Sequence, residues 1–143
     1  MRIERHFDVK LPRETALERV ARDETLLSLF PEGRVEIVAR EGTRRTVRTH
    51  YRALGREGTA TFHFDVDPGG EVRFEKVCDG RIWRQLAGRV SFASRGKGTR
   101  VTISAEGRTK ALVPELAIRG PMQEQIETMA AALRQCIGGS RGS

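Results

Sequence analysis

The feature that most constrains this chain is a change of period. Over most of its length apolar residues recur at every second position, in short runs broken by turn residues, whereas near the C-terminus they recur at helical spacing. A period of two belongs to a strand with one buried face, and a period near 3.6 to an amphipathic helix. The chain therefore reads as a sheet followed by a helix that shares its core.

In the first run, Ile3, Phe7, Val9 and Leu11 fall on one side and Arg2, Glu4, His6, Asp8 and Lys10 on the other. Arg5 is the charged exception on the apolar side. Leu11-Pro12-Arg13-Glu14 then changes the period. Pro12 suits a first helical turn, where its missing N–H costs nothing, and Ala16, Leu17 and Val20 follow at helical spacing. Asp23 is placed to cap a second short helix through Leu26, Leu27 and Phe30, which Pro31 ends.

From Gly33 to Gly107 the pattern is strand and turn. The inward sets are Val35, Ile37 and Ala39; Val47, Thr49, Tyr51 and Ala53; Ala60, Phe62, Phe64 and Val66; Val72, Phe74 and Cys78; Ile82, Leu86, Val90 and Phe92; and Val101, Ile103 and Ala105. Turns fall at Glu41-Gly42-Thr43, Asp67-Pro68-Gly69-Gly70, Asp79-Gly80 and Arg95-Gly96-Lys97-Gly98. A two-residue loop at Asp79-Gly80 would set Lys76 opposite Trp83 and turn Leu86 away from Phe74. A three-residue loop keeps Val72, Phe74, Ile82 and Leu86 on one face, so burial selects the odd loop. That register points Arg84 inward and Trp83 outward, beside Gln85 and Arg89. The count is six strands in a meander, seven with the first.

In the last segment Met122, Ile126, Met129, Ala130, Leu133 and Ile137 make one apolar stripe. Gly120-Pro121 interrupts the stretch before it, so the main helix is expected over Pro121–Ile137 with a less regular turn ahead of it. The glycine-rich remainder, 138–143, reads as a flexible tail.

At 143 residues the chain suits one domain, placed at 1–137, with enough apolar content to bury a core unaided. No stretch approaches the ~20 apolar residues of a membrane helix. Nothing at the N-terminus resembles a secretion signal, so a cytoplasmic address and reduced Cys78 and Cys136 are expected. Lys+Arg 26 against Asp+Glu 19 gives +7, mostly from arginine. That excess fits either an anionic partner or charges scattered over solvated faces.

The order strand, helix-loop-helix, six-strand meander and long terminal helix resembles the START-like (SRPBCC, Bet v 1-like) superfamily. The phrases Phe7-Asp8-Val9 with Leu11-Pro12-Arg13-Glu14, Asp23-Glu24-Thr25-Leu26 through Phe30-Pro31, and Gly98-Thr99-Arg100-Val101-Thr102 are similar to its first strand, second helix and last strand. The chain looks most like the polyketide cyclase/dehydrase and lipid-transport group. This resemblance implies an α+β helix-grip fold, a bent seven-stranded antiparallel sheet around the C-terminal helix. It also implies a cavity between them for a small apolar or amphipathic ligand of lipid, polyketide or quinone type. The superfamily includes both enzymes and carriers, and shared fold does not settle function.

Catalytic chemistry finds little support in the residues. Asp8, Glu36, Asp65, Glu71, Glu75 and Glu106 all fall on the outward parity, as do His6, His50 and His63. Metal-ligand spacing, a nucleophile triad and a phosphate-binding glycine loop are not found in the pattern. No catalytic residue, metal or cofactor is expected.

The inward polar set is Arg5, Thr49, Tyr51, Lys76 and Arg84. Tyr51, Lys76 and Arg84 would hold the polar head of a ligand, or else sit at strand ends with their heads in solvent. Phe62, Phe64, Phe74, Leu86, Met122, Ile126 and Met129 would line the pocket, or else fill a solid core. Arg34, Arg40, Arg44, Arg48 and Arg52 form an outward basic set, which the resemblance implies would lie at one sheet edge. It would serve RNA, the ribosome or an anionic membrane, or simply protect the edge from pairing. A carrier or sensor of an apolar ligand is the leading reading. The alternatives are a cyclase in which Arg84 and Tyr51 steady an enolate, and a basic polyanion-binding protein.

Overall fold

The computed structural model describes residues 1–30, 34–53, 56–67, 69–77 and 83–138, with side chains at all of these but 51–53 and 56. In chain order the elements are β1 (Arg2–Val9), α1 (Arg13–Val20), α2 (Asp23–Ser28), β2 (Arg34–Glu41), β3 (Arg44–Ala53), β4 (Arg56–Asp67), β5 (Glu71–Lys76), β6 (Trp83–Arg95), β7 (Gly98–Thr109) and α3 (Glu115–Gly138). The strands form one antiparallel sheet in the order β1-β7-β6-β5-β4-β3-β2. The expected seven-stranded sheet with a terminal helix is therefore what this chain builds.

The hairpin joining β2 to β3 turns through Gly42-Thr43, and the one joining β6 to β7 through Gly96-Lys97. Gly42 and Gly96 have φ of 59° and 60°, the left-handed conformation that tight hairpins demand and side chains resist. Alternation holds in the strands that carry the core. Ile3, Phe7 and Val9 of β1, Val72 and Phe74 of β5, Val90 and Phe92 of β6, and Val101, Ile103 and Ala105 of β7 are all buried. Phe74 pairs with Gly88 and Val72 with Val90, so β5 and β6 share the inward face that burial selected. The proposed turn at Asp79-Gly80, with Cys78 and Ile82, lies outside the described residues, as do Pro31 and Pro68.

α3 lies chiefly against β1, β7, α1 and α2. Its stripe of Met122, Ile126, Met129, Leu133 and Ile137 is buried, each side chain contributing roughly 1.5–3 kcal/mol. Arg19 of α1 donates to the Ile137 carbonyl at 2.9 Å, placing a cation where the helix dipole favours one. Arg13 ties the start of α1 to β6 by donating from Nε to the Phe92 carbonyl at 3.0 Å.

Several expectations need correction. α3 begins at Glu115, so Pro121 sits inside the helix and not at its start. The ring removes the bond to the Ala117 carbonyl, but Ala117, Gly120 and Pro121 are all exposed and water can serve that oxygen. Gly138 still belongs to α3; 139–143 of the expected tail lie outside the described residues. Asp23 does not cap α2. The capping position is Arg22, and the Asp23 carboxylate instead takes both ends of the Arg40 guanidinium, at 3.0 and 2.6 Å.

That ion pair follows from a bulge in β2. Ile37 pairs with Val47, but Ala39 pairs with Thr46, so Val38 is the extra residue. Beyond it the faces exchange. Ala39 joins the outer face with Thr46, and Arg40 turns inward opposite Arg45, within reach of α2.

Candidate functional site

Because α3 is set over β1 and β7, its contacts with the inner wall of β2–β6 are sparse among the described residues. Val47, Phe64, Val72, Phe74, Val90 and Phe92 of that wall are buried, but Val35 and Ile37 of β2, Phe62 and Val66 of β4, and Trp83 and Leu86 of β6 are only partly so. On the same face Phe64 is 1% exposed and Val72 1%. Phe62, Trp83 and Leu86 lie toward the end of the wall where α3 begins, so partly buried apolar surface gathers there, while Phe64 and Val72 lie in the closed core beneath α1 and α2.

The closed side is sealed by aromatics. Phe30, just beyond α2, stacks on Phe62 with ring centroids 5.0 Å apart and meets Phe64 edge-on at 6.5 Å. Phe64 continues the row to Phe74 at 5.7 Å. Such contacts hold the rings in fixed orientations.

A second bulge decides which residues join this wall. Trp83 pairs with Thr109 and Gln85 with Arg108, so Arg84 is the extra residue. The indole therefore turns inward and packs on the core, while Arg84 is exposed. This reverses the expected orientation of both. Strict alternation places Arg84 on the face of Leu86, but the bulge consumes one residue between them. No glycine or proline marks the spot, so the pattern held no signal for it.

Lys76 is on the expected face: it pairs with Phe62 across β4 and β5 and is half-buried, a cationic residue among the apolar side chains of the wall. Thr49 is buried and its hydroxyl donates to the Ala60 carbonyl at 3.4 Å. Arg5, in the middle of β1 opposite Ile103, sends its guanidinium to Glu127 of α3 at 3.2 Å. The Tyr51 side chain lies outside the described residues. Phe64, Phe74, Met122, Ile126 and Met129 are buried in the core cluster that backs the wall. Phe30, Val35, Ile37 and Trp83 are the residues of this face that the sequence reading left out of the site. The alternation that put Val35 and Ile37 inward was the available signal for those two.

The outward basic set is split and interleaved with carboxylates. Arg40 is on the inner side, held by Asp23. Arg44 is held by Asp65 through two bonds of 3.1 Å. Arg34 and Arg48 flank Glu36, whose carboxyl is held below the usual range by its hydrogen bond from His50 and then by the charges around it. The Arg52 side chain lies outside the described residues. The outer parity of Asp8, Asp65, Glu71 and Glu106 matches the pattern, and the Arg100 guanidinium beside Asp8 likewise holds that carboxyl down. The outer face also carries a shallow polar groove of about 530 Å³, fringed by Arg2, Arg73, Arg89 and Arg108 over Ala87 and Ser104. Cys136 is a free thiol, 3.1 Å from the Ser28 hydroxyl.

No protein-family model and no curated protein sequence matches the chain. Solved structures do. A protein of Thermus thermophilus superposes with a TM-score of 0.76 at 22% identity, covering 96% of this chain and 97% of that one. The Zhui aromatase/cyclase of a Streptomyces species gives 0.69 at 19%, covering 94% of each. A START superfamily protein of Mycobacterium smegmatis gives 0.69 at 19%, covering 95% of this chain and 96% of that one. At such identities the likeness speaks for the fold, which is the helix-grip fold of START-like proteins.

Proposed function

We propose that this chain binds a small apolar or amphipathic ligand, of lipid, polyketide or quinone type, between the inner wall of β2–β6 and the first half of α3. The observation that carries the reading is the half-buried row of Val35, Ile37, Phe62, Trp83 and Leu86, facing inward where helix cover is sparse. A folded chain leaves so much inward apolar surface open only at a cost, and an apolar guest removes that cost. Lys76 supplies a cation for a polar or anionic head, while the buried Phe64 and Phe74 of the sheet and Met122, Ile126 and Met129 of α3 form the closed core beside it. The similar folds, an aromatase/cyclase and a START superfamily protein, are consistent with a guest of this kind.

Carriage is better supported than cyclisation. The cyclase reading relies on Arg84 to steady an enolate, and Arg84 is exposed on the far side of its bulge. Native mass spectrometry of protein purified gently from its source, with organic extraction, tests the binding. A stoichiometric apolar molecule is expected, together with a saturable change in Trp83 emission when the stripped protein is titrated with it. No retained molecule, and no emission or melting change across a panel of fatty acids, quinones and aromatic polyketides, would overturn the reading.

A further inference from the structure

We infer that the end of the molecule where α3 begins docks on an anionic lipid surface. Leu112 is 95% exposed and Leu116 88%, the two most exposed large apolar side chains among the described residues. Their exposure is built in and does not come from fraying. The Thr109 hydroxyl donates to the Val113 carbonyl at 2.8 Å, the Val113 N–H to the Lys110 carbonyl at 2.9 Å, and the Ala117 N–H to the Pro114 carbonyl at 3.1 Å. These bonds hold the turn at 111–113 and the first turn of α3 in shape, with both leucines pointing to solvent.

Cations outnumber acids around them: the one carboxylate between the leucines, Glu115, lies 3.8 Å from the Met1 ammonium. Lys110 precedes the turn, Arg119 lies one helical turn beyond Leu116, and Arg108 and Arg84 come from the β7 and β6 ends that pair beside it. All four are exposed, and none meets a carboxylate among the described residues. Val77, 48% exposed, stands two strands away at the same end of the sheet. Leucines that project singly, ringed by Lys and Arg, match the requirements of the interface of an acidic bilayer. The apolar tips enter the acyl boundary while the cations meet lipid phosphates.

A second copy of this chain fits poorly. A two-fold contact through this face would set the same four cations against each other. An acidic protein would need a groove or plateau to match in shape, whereas these leucines stand apart on a turn and a helix start. The inference goes beyond ligand binding and holds whether or not the inner wall takes a guest.

The test is flotation of the full chain with phosphatidylcholine vesicles, with and without phosphatidylglycerol. Binding is expected only to the vesicles that contain phosphatidylglycerol, and it should weaken steeply with salt. The double variant Leu112→Ser/Leu116→Ser should bind at least about tenfold more weakly. Arg108→Glu/Lys110→Glu should also lose most of the binding. Both variants change exposed side chains, and unaltered circular dichroism and melting will confirm that they fold. Absence of binding to phosphatidylglycerol vesicles would overturn the inference. So would binding that the leucine variant retains in full, since that would be simple charge attraction through another face. A leucine-dependent dimer without vesicle binding would assign the face to a second copy and overturn it as well.

Discussion

The Trp83 indole lies against the backbone of Gly107: a Cβ at Gly107 would come within 2.5 Å of Trp83 Cζ3 and 3.1 Å of Leu86 Cδ1. The glycine near the end of β7 is thus a seat for a ring, and the ring reaches it only because Arg84 bulges out of β6. The inner wall depends on this one-residue irregularity.

Gly107→Val removes the seat. Trp83 is the single tryptophan of the chain, so its emission reports the site directly. The variant is expected to shift emission to longer wavelength and to lose about 1–3 kcal/mol of stability in urea denaturation. An unchanged spectrum would show that the indole does not rest there.

Two leucines of α3 should behave oppositely. Leu133 is fully buried between the helix and the sheet, and Leu133→Ala is expected to cost about 2–5 kcal/mol. Leu116, at 88% exposed, should change stability by no more than about 0.5 kcal/mol when replaced by alanine. Equal losses in chemical denaturation would contradict the placement of α3.

Pro121→Ala restores a backbone donor to the Ala117 carbonyl in the second turn of α3. Stability should rise by roughly 1–3 kcal/mol, and amide exchange in residues 115–121 should slow. Were α3 to start only at Pro121, that exchange would not change.

Acid should unfold the protein through its surface carboxylates. Asp8, Asp23 and Glu36 are held below their ordinary values of 3.8, 3.8 and 4.5, chiefly by hydrogen bonds from Arg100, Arg40 and His50. A lowered folded-state value means that the unfolded chain takes up the proton first. The stabilisation is therefore complete above the ordinary values and is lost as pH falls through the lowered ones. Melting temperature should hold from neutral pH to about pH 5 and decline below about pH 4. Asp8→Asn should make that decline shallower, and added salt should do the same, because these pairs are exposed and screened. An identical acid limb in Asp8→Asn would remove Asp8 from the account.

Much of this molecule was legible in its sequence for local reasons. A strand that buries one face must alternate, so Ile3, Phe7 and Val9, or Val101, Ile103 and Ala105, announce both their element and their inward side. Gly42 and Gly96 mark hairpins because tight turns need a positive φ. The stripe from Met122 to Ile137 has a period that only a helix can bury on one side.

What only the tertiary structure decided depends on counting and on distance. Alternation carries parity forward one residue at a time, and a bulge breaks the count without a required residue type. Val38 and Arg84 therefore exchanged the faces of Ala39 and Arg40, and of Trp83 and Arg84, with no mark in the pattern. Pro121 forbids one backbone bond, not a helix, and whether the orphaned carbonyl finds water depends on which side of α3 is open. The candidate site is of the same kind. The pattern could say that Phe62 and Leu86 point inward, but their openness follows from α3 lying over β1 and β7, strands distant from both in the chain. Periodicity records what each residue must do to its own backbone; cover is supplied by whatever the rest of the chain sets opposite.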